Sequence, residues 1–105
     1  MTLTLIADAA VDVDAEGFMT DPDQWNEQIA QAIAGHNGIP ELTERHWLVV
    51  WFMRKRYLAT GEAPSIRALG KESGVPVKEL YALFPKGPAK LAAKIGGIPK
   101  PHGCI

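Results

Sequence analysis

The unbroken apolar run Trp47-Leu48-Val49-Val50-Trp51-Phe52-Met53 is the feature that most limits what this chain can fold into. It lies between Thr43, whose hydroxyl suits a helix N-cap, and Gly61, which suits a helix stop. The spacing therefore predicts one helix from Thr43 to about Ala59, and the run is far too short to cross a bilayer. Its middle is apolar on every side, so it reads as the central buried helix. Arg54-Lys55-Arg56 lies toward its C-terminal end, where positive charge complements the helix dipole. At 105 residues the chain has room for one small domain around such a helix.

The remaining segments are short and closely punctuated. Leu3, Leu5, Val11 and Val13 sit at alternating positions, which favours short strands, and Asp14-Ala15-Glu16-Gly17 is the expected turn between them. Asp21-Pro22-Asp23 opens a helix carrying Trp25, Ile29, Ala32 and Ile33 at helical spacing as far as Gly35, and Gly38 and Pro40 close the connection. Pro64-Ser65 opens a helix over Ile66 to Ser73. Gly74-Val75-Pro76 turns into a fourth helix ending at Phe84-Pro85, and Gly87-Pro88 starts a fifth with Leu91, Ala92 and Ile95 on its apolar side. The fold class expected is mainly α: a small helical bundle with an N-terminal β-hairpin, an internal helix-turn-helix-like pair and a flexible C-terminal arm. There is no internal repeat and no inter-domain linker.

Residues 1–95 form the expected globular domain and residues 96–105 the arm. Gly96, Gly97, Pro99, Pro101 and Gly103 cannot propagate a helix or a central strand. The arm ends with Cys104, the single cysteine of the chain, one residue from the C-terminal carboxylate. A thiol at such a tip can reach into a partner's cleft. It attacks as thiolate, and an unperturbed cysteine titrates near about 8.5. The neighbouring carboxylate of Ile105 disfavours a second negative charge, whereas Lys94, Lys100 and His102 favour it. Such a thiol suits thiol exchange or persulfide transfer.

Other patterns carry less chemistry. A formal net charge of −1 supplies no basic field for nucleic acid. Asp12, Asp14, Glu16, Gly17 and Asp23 resemble part of a calcium loop, but the stretch before them alternates like a strand, so a hairpin turn is the simpler reading. Gly70, Gly74 and Leu80 give Ser65 to Phe84 the look of a DNA-binding helix-turn-helix. The would-be recognition helix, Val77 to Phe84, has no arginine, asparagine or glutamine to read base edges, so the motif reads as structural. His36, His46 and His102 show no metal spacing, and no metal or other cofactor is expected. Trp25, Trp47 and Trp51 read as core. One cysteine and no basic leader point to the reducing cytoplasm.

The segment Leu83-Phe84-Pro85-Lys86-Gly87-Pro88-Ala89-Lys90, continuing through Lys94-Ile95-Gly96-Gly97-Ile98-Pro99-Lys100-Pro101-His102-Gly103-Cys104-Ile105, closely resembles the DsrC/TusE family of sulfur-relay proteins. The similarity extends upstream through Asp14-Ala15-Glu16-Gly17-Phe18, Trp25, Leu42-Thr43-Glu44-Arg45-His46-Trp47 and Ala63-Pro64-Ser65-Ile66-Arg67. The resemblance implies a helical bundle with an N-terminal hairpin and a mobile C-terminal arm, and makes Cys104 the sulfur-carrying residue. Members that serve dissimilatory sulfite reductase carry a second cysteine eleven residues before the last, where this chain has Ala93. A single cysteine favours a TusE-like role, accepting persulfide sulfur from an upstream relay and presenting it to a tRNA 2-thiouridine synthase. His102 stands where threonine is common in the family.

The resulting expectation is a cytoplasmic, sulfurtransferase-type persulfide carrier acting through Cys104. Arg54, Lys55, Arg56, Lys94, Lys100 and His102 are candidate partner-docking residues. The partners expected are upstream sulfur-relay proteins and a downstream acceptor enzyme, with no stable nucleic-acid binding and no membrane, and the chain is expected as a monomer. The alternatives are a carrier or regulatory partner in oxidative or dissimilatory sulfur metabolism, and a DNA-binding regulator using Ser65 to Phe84.

Overall fold

A computed structural model of the chain describes residues 2–100. Strands β1 (Thr2–Ile6) and β2 (Ala9–Val13) pair antiparallel, Ile6 opposite Ala9 and Thr2 opposite Val13. The hairpin turn is therefore Ala7-Asp8, not Asp14–Gly17 as expected. Both turn residues have positive φ, 52° and 65°, because a two-residue loop must match the right-handed twist of its strands. This register places Leu3 opposite Asp12 and Leu5 opposite Ala10. Opposed residues share a face, so Leu3 and Leu5 turn to solvent (63% and 73% exposed) while Val11 and Val13 enter the core. Asp14–Gly17 forms a second turn, after β2, that brings Met19 back to bridge Val13. There Asp14 Oδ1 accepts from the N–H groups of Glu16 (2.8 Å) and Phe18 (3.0 Å), which commits that oxygen to the turn rather than to a calcium loop.

The helix expected from Asp21 is split in two. Asp21 caps a 3-10 turn over Pro22–Gln24, and Asn26 then caps α1 (Glu27–His36), its side chain accepting from the Ile29 N–H at 2.9 Å. The second cap ends the first turn and leaves Trp25 on extended backbone between the two. α2 (Glu44–Thr60) starts at Thr43 and stops at Gly61 as the sequence predicts. His46 fills the capping-box position normally held by Glu or Gln. Its Nδ1 accepts from the Thr43 N–H (3.0 Å), and in the matching tautomer its Nε2–H donates to the Leu83 carbonyl (2.9 Å), tying the start of α2 to the end of α4.

α3 (Ile66–Glu72) and α4 (Val77–Leu83) form the helix-turn-helix-like pair. They cross at Gly70, where an added Cβ would lie 2.6 Å from Val77 Cγ2. On α4, Glu79 is held by a bidentate pair of 2.7 Å contacts with Arg45 of α2, so this helix is built into the bundle.

The central helix is α5 (Pro88–Ile95), not α2. It packs against α1, α2, α3 and α4, burying Pro88, Ala89, Leu91, Ala92, Ala93 and Ile95. Its three alanines let the surrounding backbones approach closely. α2 buries His46, Val49, Val50, Met53 and Arg54, but Leu48, Trp51 and Leu58 face outward. The apolar run thus exceeds the area its neighbours cover, and Trp51 is surface rather than core (47% exposed). Among the described residues no helix is long and apolar enough to cross a membrane.

Candidate functional site: the root of the C-terminal segment

Cys104 and His102, together with Pro101, Gly103 and Ile105, lie outside the described residues. The structure does describe the five residues that lead to them. α5 ends in a Schellman motif: the Gly97 N–H donates to the Lys94 carbonyl and the Ile98 N–H to the Ala93 carbonyl, both at 3.2 Å. Gly97 takes φ +67°, as the left-handed position of that motif requires. Ile98, the next residue, is fully buried in the core cluster. Burying an isoleucine side chain stabilises by about 1.5–3 kcal/mol, so this residue anchors the segment firmly. The packed body therefore continues through Ile98, three residues past the boundary read from the Gly/Pro pattern.

Two side chains hold this root from beneath. The Trp25 indole N–H donates to the Ile95 carbonyl at 2.8 Å, and the indole lies so close to Gly97 that an added Cβ would meet Trp25 Cδ1 at 2.2 Å. Arg54 stacks its guanidinium on the same indole, 4.1 Å from the ring centroid. It donates to the Gly96 carbonyl (2.8 Å) and to the Pro22 carbonyl (3.2 Å). Arg54 is 9% exposed, and its buried Nε–H has no partner. Burial pushes the guanidinium below its ordinary value, with Asp23 partly offsetting that; arginine stays charged nonetheless. Trp51 completes the group, edge-on to Trp25 at 5.0 Å.

Lys100, the last described residue, pairs with Glu16 at 2.5 Å. Glu16 also lines a groove of about 350 Å³ with Phe18, Asn37, Lys86, Lys90, Leu91 and Lys94. Lys90 and Lys94, four residues apart, lie along one side of α5 over an apolar floor, and Lys86 in the turn before the helix adds a third charge to the lining. Lys94 lies over the Phe18 ring, 5.1 Å from its centroid. A second hollow of about 340 Å³ shares Asn37 and Lys94 and extends beside the hairpin to Leu5 and His36. The described chain thus ends, at Lys100, on the edge of a cationic groove.

The residues singled out in the sequence are distributed unevenly around this site. Lys94 and Lys100 stand at the groove. Arg54 lies under the root with its charge turned inward, where it cannot dock a partner. Lys55 is exposed on α2, and Arg56 pairs with Glu72 of α3. Trp25, Gly97, Ile98, Glu16, Lys86 and Lys90 belong to the site but carried no functional reading in the sequence. A four-residue lysine spacing and a Gly-Gly-Ile helix stop were the available signals. Among the described residues no three His, Cys, Asp or Glu side chains gather in a way that could hold a metal.

Comparison with known proteins decides the family. The family described as "DsrC like protein" matches residues 5–105. This chain belongs to it. The sulfurtransferase TusE of Salmonella typhimurium LT2 is 47% identical over a 103-residue alignment covering 90% of this chain and 93% of that one. Among DsrC-like structures, a crystal structure titled dissimilatory sulfite reductase I (DsrI) superposes with a TM-score of 0.88 at 38% identity, covering 99% of this chain and all of the other. The solution structure of Allochromatium vinosum DsrC gives 0.83 at 35% identity, covering 98% and 97%. The DsrC-like fold is thus the mainly helical architecture, with its N-terminal hairpin, that the sequence predicts.

Proposed function

We propose that this chain is a sulfur carrier that accepts and donates persulfide sulfur through Cys104, in the thiolation of tRNA uridine. The observation that carries this reading is the combination of 47% identity to a TusE sulfurtransferase with a single cysteine placed one residue from the end. The transfer is redox-neutral. The Cys104 thiolate attacks the outer sulfur of a donor persulfide, the donor S–S bond breaks, and the donor leaves as thiolate. Cys104 then carries a persulfide whose outer sulfur an acceptor thiolate attacks in the same way.

The described structure supports this chemistry in two respects. Cys104 is four residues on from Lys100, a span of at most about 14 Å. The thiol is therefore tethered within short reach of the groove edge, and it can enter a partner's cleft while the body stays docked. A thiolate or perthiolate brought to the groove would be stabilised by its lysines, since both are anions. Lys94 and Lys100, with Lys55 and Arg56 of α2, are the charges we assign to partner docking. Ala93 is fully buried, and its carbonyl is engaged by Ile98. With no second thiol at that position the chain works as a single-cysteine relay, which favours the tRNA branch over dissimilatory sulfite reduction. The partners are then persulfide-bearing relay proteins and a thiolating enzyme, in the cytoplasm.

Incubation with a persulfide donor should add the mass of one sulfur atom to wild-type protein, reductant should remove it, and Cys104→Ser should gain nothing while keeping its stability. Wild-type protein with a confirmed free thiol that stays unloaded by every persulfide donor would leave the chain a binding partner only.

A further inference from the structure

The Trp25–Arg54 pair does more than fill space. A guanidinium nine-tenths buried with an orphaned donor is a poor way to stabilise a core, since an apolar side chain of similar size packs there without a desolvation cost. What an apolar side chain cannot do is hold two carbonyls from distant segments at once. Arg54 bonds both Pro22, just before Trp25, and Gly96, at the end of α5. Trp25 in turn bonds the Ile95 carbonyl and presses its ring against Gly97. Three consecutive residues, Ile95 to Gly97, are thus each fixed by one of these two side chains. Gly97 turns the chain out of α5: it has positive φ, and Ile98 beyond it is buried. The outgoing chain then meets the groove at the Lys100–Glu16 pair.

From these contacts we infer that Trp25 and Arg54 are positioning residues that fix the chain from Ile95 to Lys100 against the lysine groove, and so set the point from which Cys104 is presented while leaving the chemistry of its thiol alone. The inference rests on the reading of Cys104 as the carrier residue. Two variants test it, one steric and one conservative. Gly97→Ala forces the indole and the turn apart, because the new Cβ has no room beside Trp25. Arg54→Lys keeps a cation near the indole but cannot span two carbonyls with a planar fork.

The test attaches a nitroxide to Cys104 of the full chain and reads the broadening of backbone amide signals. In the wild type, broadening should concentrate on Glu16–Phe18 and Lys86–Lys94. In both variants that pattern should be lost, while signal dispersion and the rate of Cys104 alkylation by iodoacetamide remain as in the wild type. If Gly97→Ala loses its dispersion, Arg54→Lys carries the comparison. Uniform broadening in the wild type, or a pattern that survives in the folded variants, would overturn the inference. Sulfur uptake from inorganic polysulfide, measured on unlabelled samples of the same proteins, separates the two readings. A directed tail that takes up no sulfur sinks the carrier and spares the aiming device, whereas uptake with an undirected tail does the reverse.

Discussion

Replacing Gly70 by alanine sets two well-characterised effects against each other. Gly70 lies inside α3, where alanine gains about 1 kcal/mol over glycine from helix propensity alone. Against that, the new methyl would lie 2.6 Å from Val77 Cγ2 and 3.3 Å from the Val77 backbone nitrogen. The first contact is with a β-branched side chain that has little rotamer freedom, and the second is with the first turn of α4 itself. Relief therefore requires the two helices to part, and overpacking of this kind costs about 1–3 kcal/mol. The crossing cost wins, so Gly70→Ala should destabilise by about 1 kcal/mol net, lowering the midpoint by several degrees in a domain of this size. Denaturant unfolding measures it, with an unchanged m-value confirming that the effect is on stability. In a Val77→Ala background the 2.6 Å contact is gone and only the 3.3 Å backbone contact remains, so the same change should cost less than in the wild type or become favourable, giving a clear non-additivity. Stabilisation by Gly70→Ala in the wild-type background would refute the close crossing and the architectural role assigned to the α3–α4 pair.

Two further predictions concern the surface. Hydrogen bonds from Arg45 and Arg56 hold the Glu79 and Glu72 carboxyls below their ordinary value of 4.5, desolvation partly opposing them and the arginine charges adding to the lowering. A lowered folded-state value means that their contribution is present above the ordinary value and is lost as pH falls through the lowered one. The stability difference between wild type and Glu79→Gln should accordingly shrink as pH is taken from neutral into the acid range, and salt should shrink it at neutral pH; a difference indifferent to both would exclude the ion pair as its source. The hairpin turn carries Ala7 in a left-handed conformation that costs a residue with a Cβ about 1–2 kcal/mol. Ala7→Asn with Asp8→Gly supplies the preferred residues for such a loop and should stabilise by about 1 kcal/mol in thermal unfolding, and a loss of stability would contradict the two-residue turn.

Much of the molecule follows from local chemistry, and the sequence alone determines that part. Thr43 and Gly61 bound α2, Ser65 caps α3, and Gly87-Pro88 opens α5, because caps and stops act over a single turn of backbone. The family was legible for a related reason, since a terminal motif with one cysteine is a matter of residue order. Three features needed the tertiary structure. The faces of Leu3 and Leu5 depend on register, and a two-residue loop in place of the expected turn sends both to solvent. The central helix is set by mutual coverage: the Ala-rich α5 can be approached from four sides, whereas the longer α2, despite its apolar run, cannot. The root of the tail joins Pro22, Trp25, Arg54 and Gly97, residues up to 75 positions apart by their numbering. Neither propensity nor periodicity records which indole will meet which glycine. A basic run therefore read as surface charge, while packing turned Arg54 inward to hold the chain from which Cys104 extends.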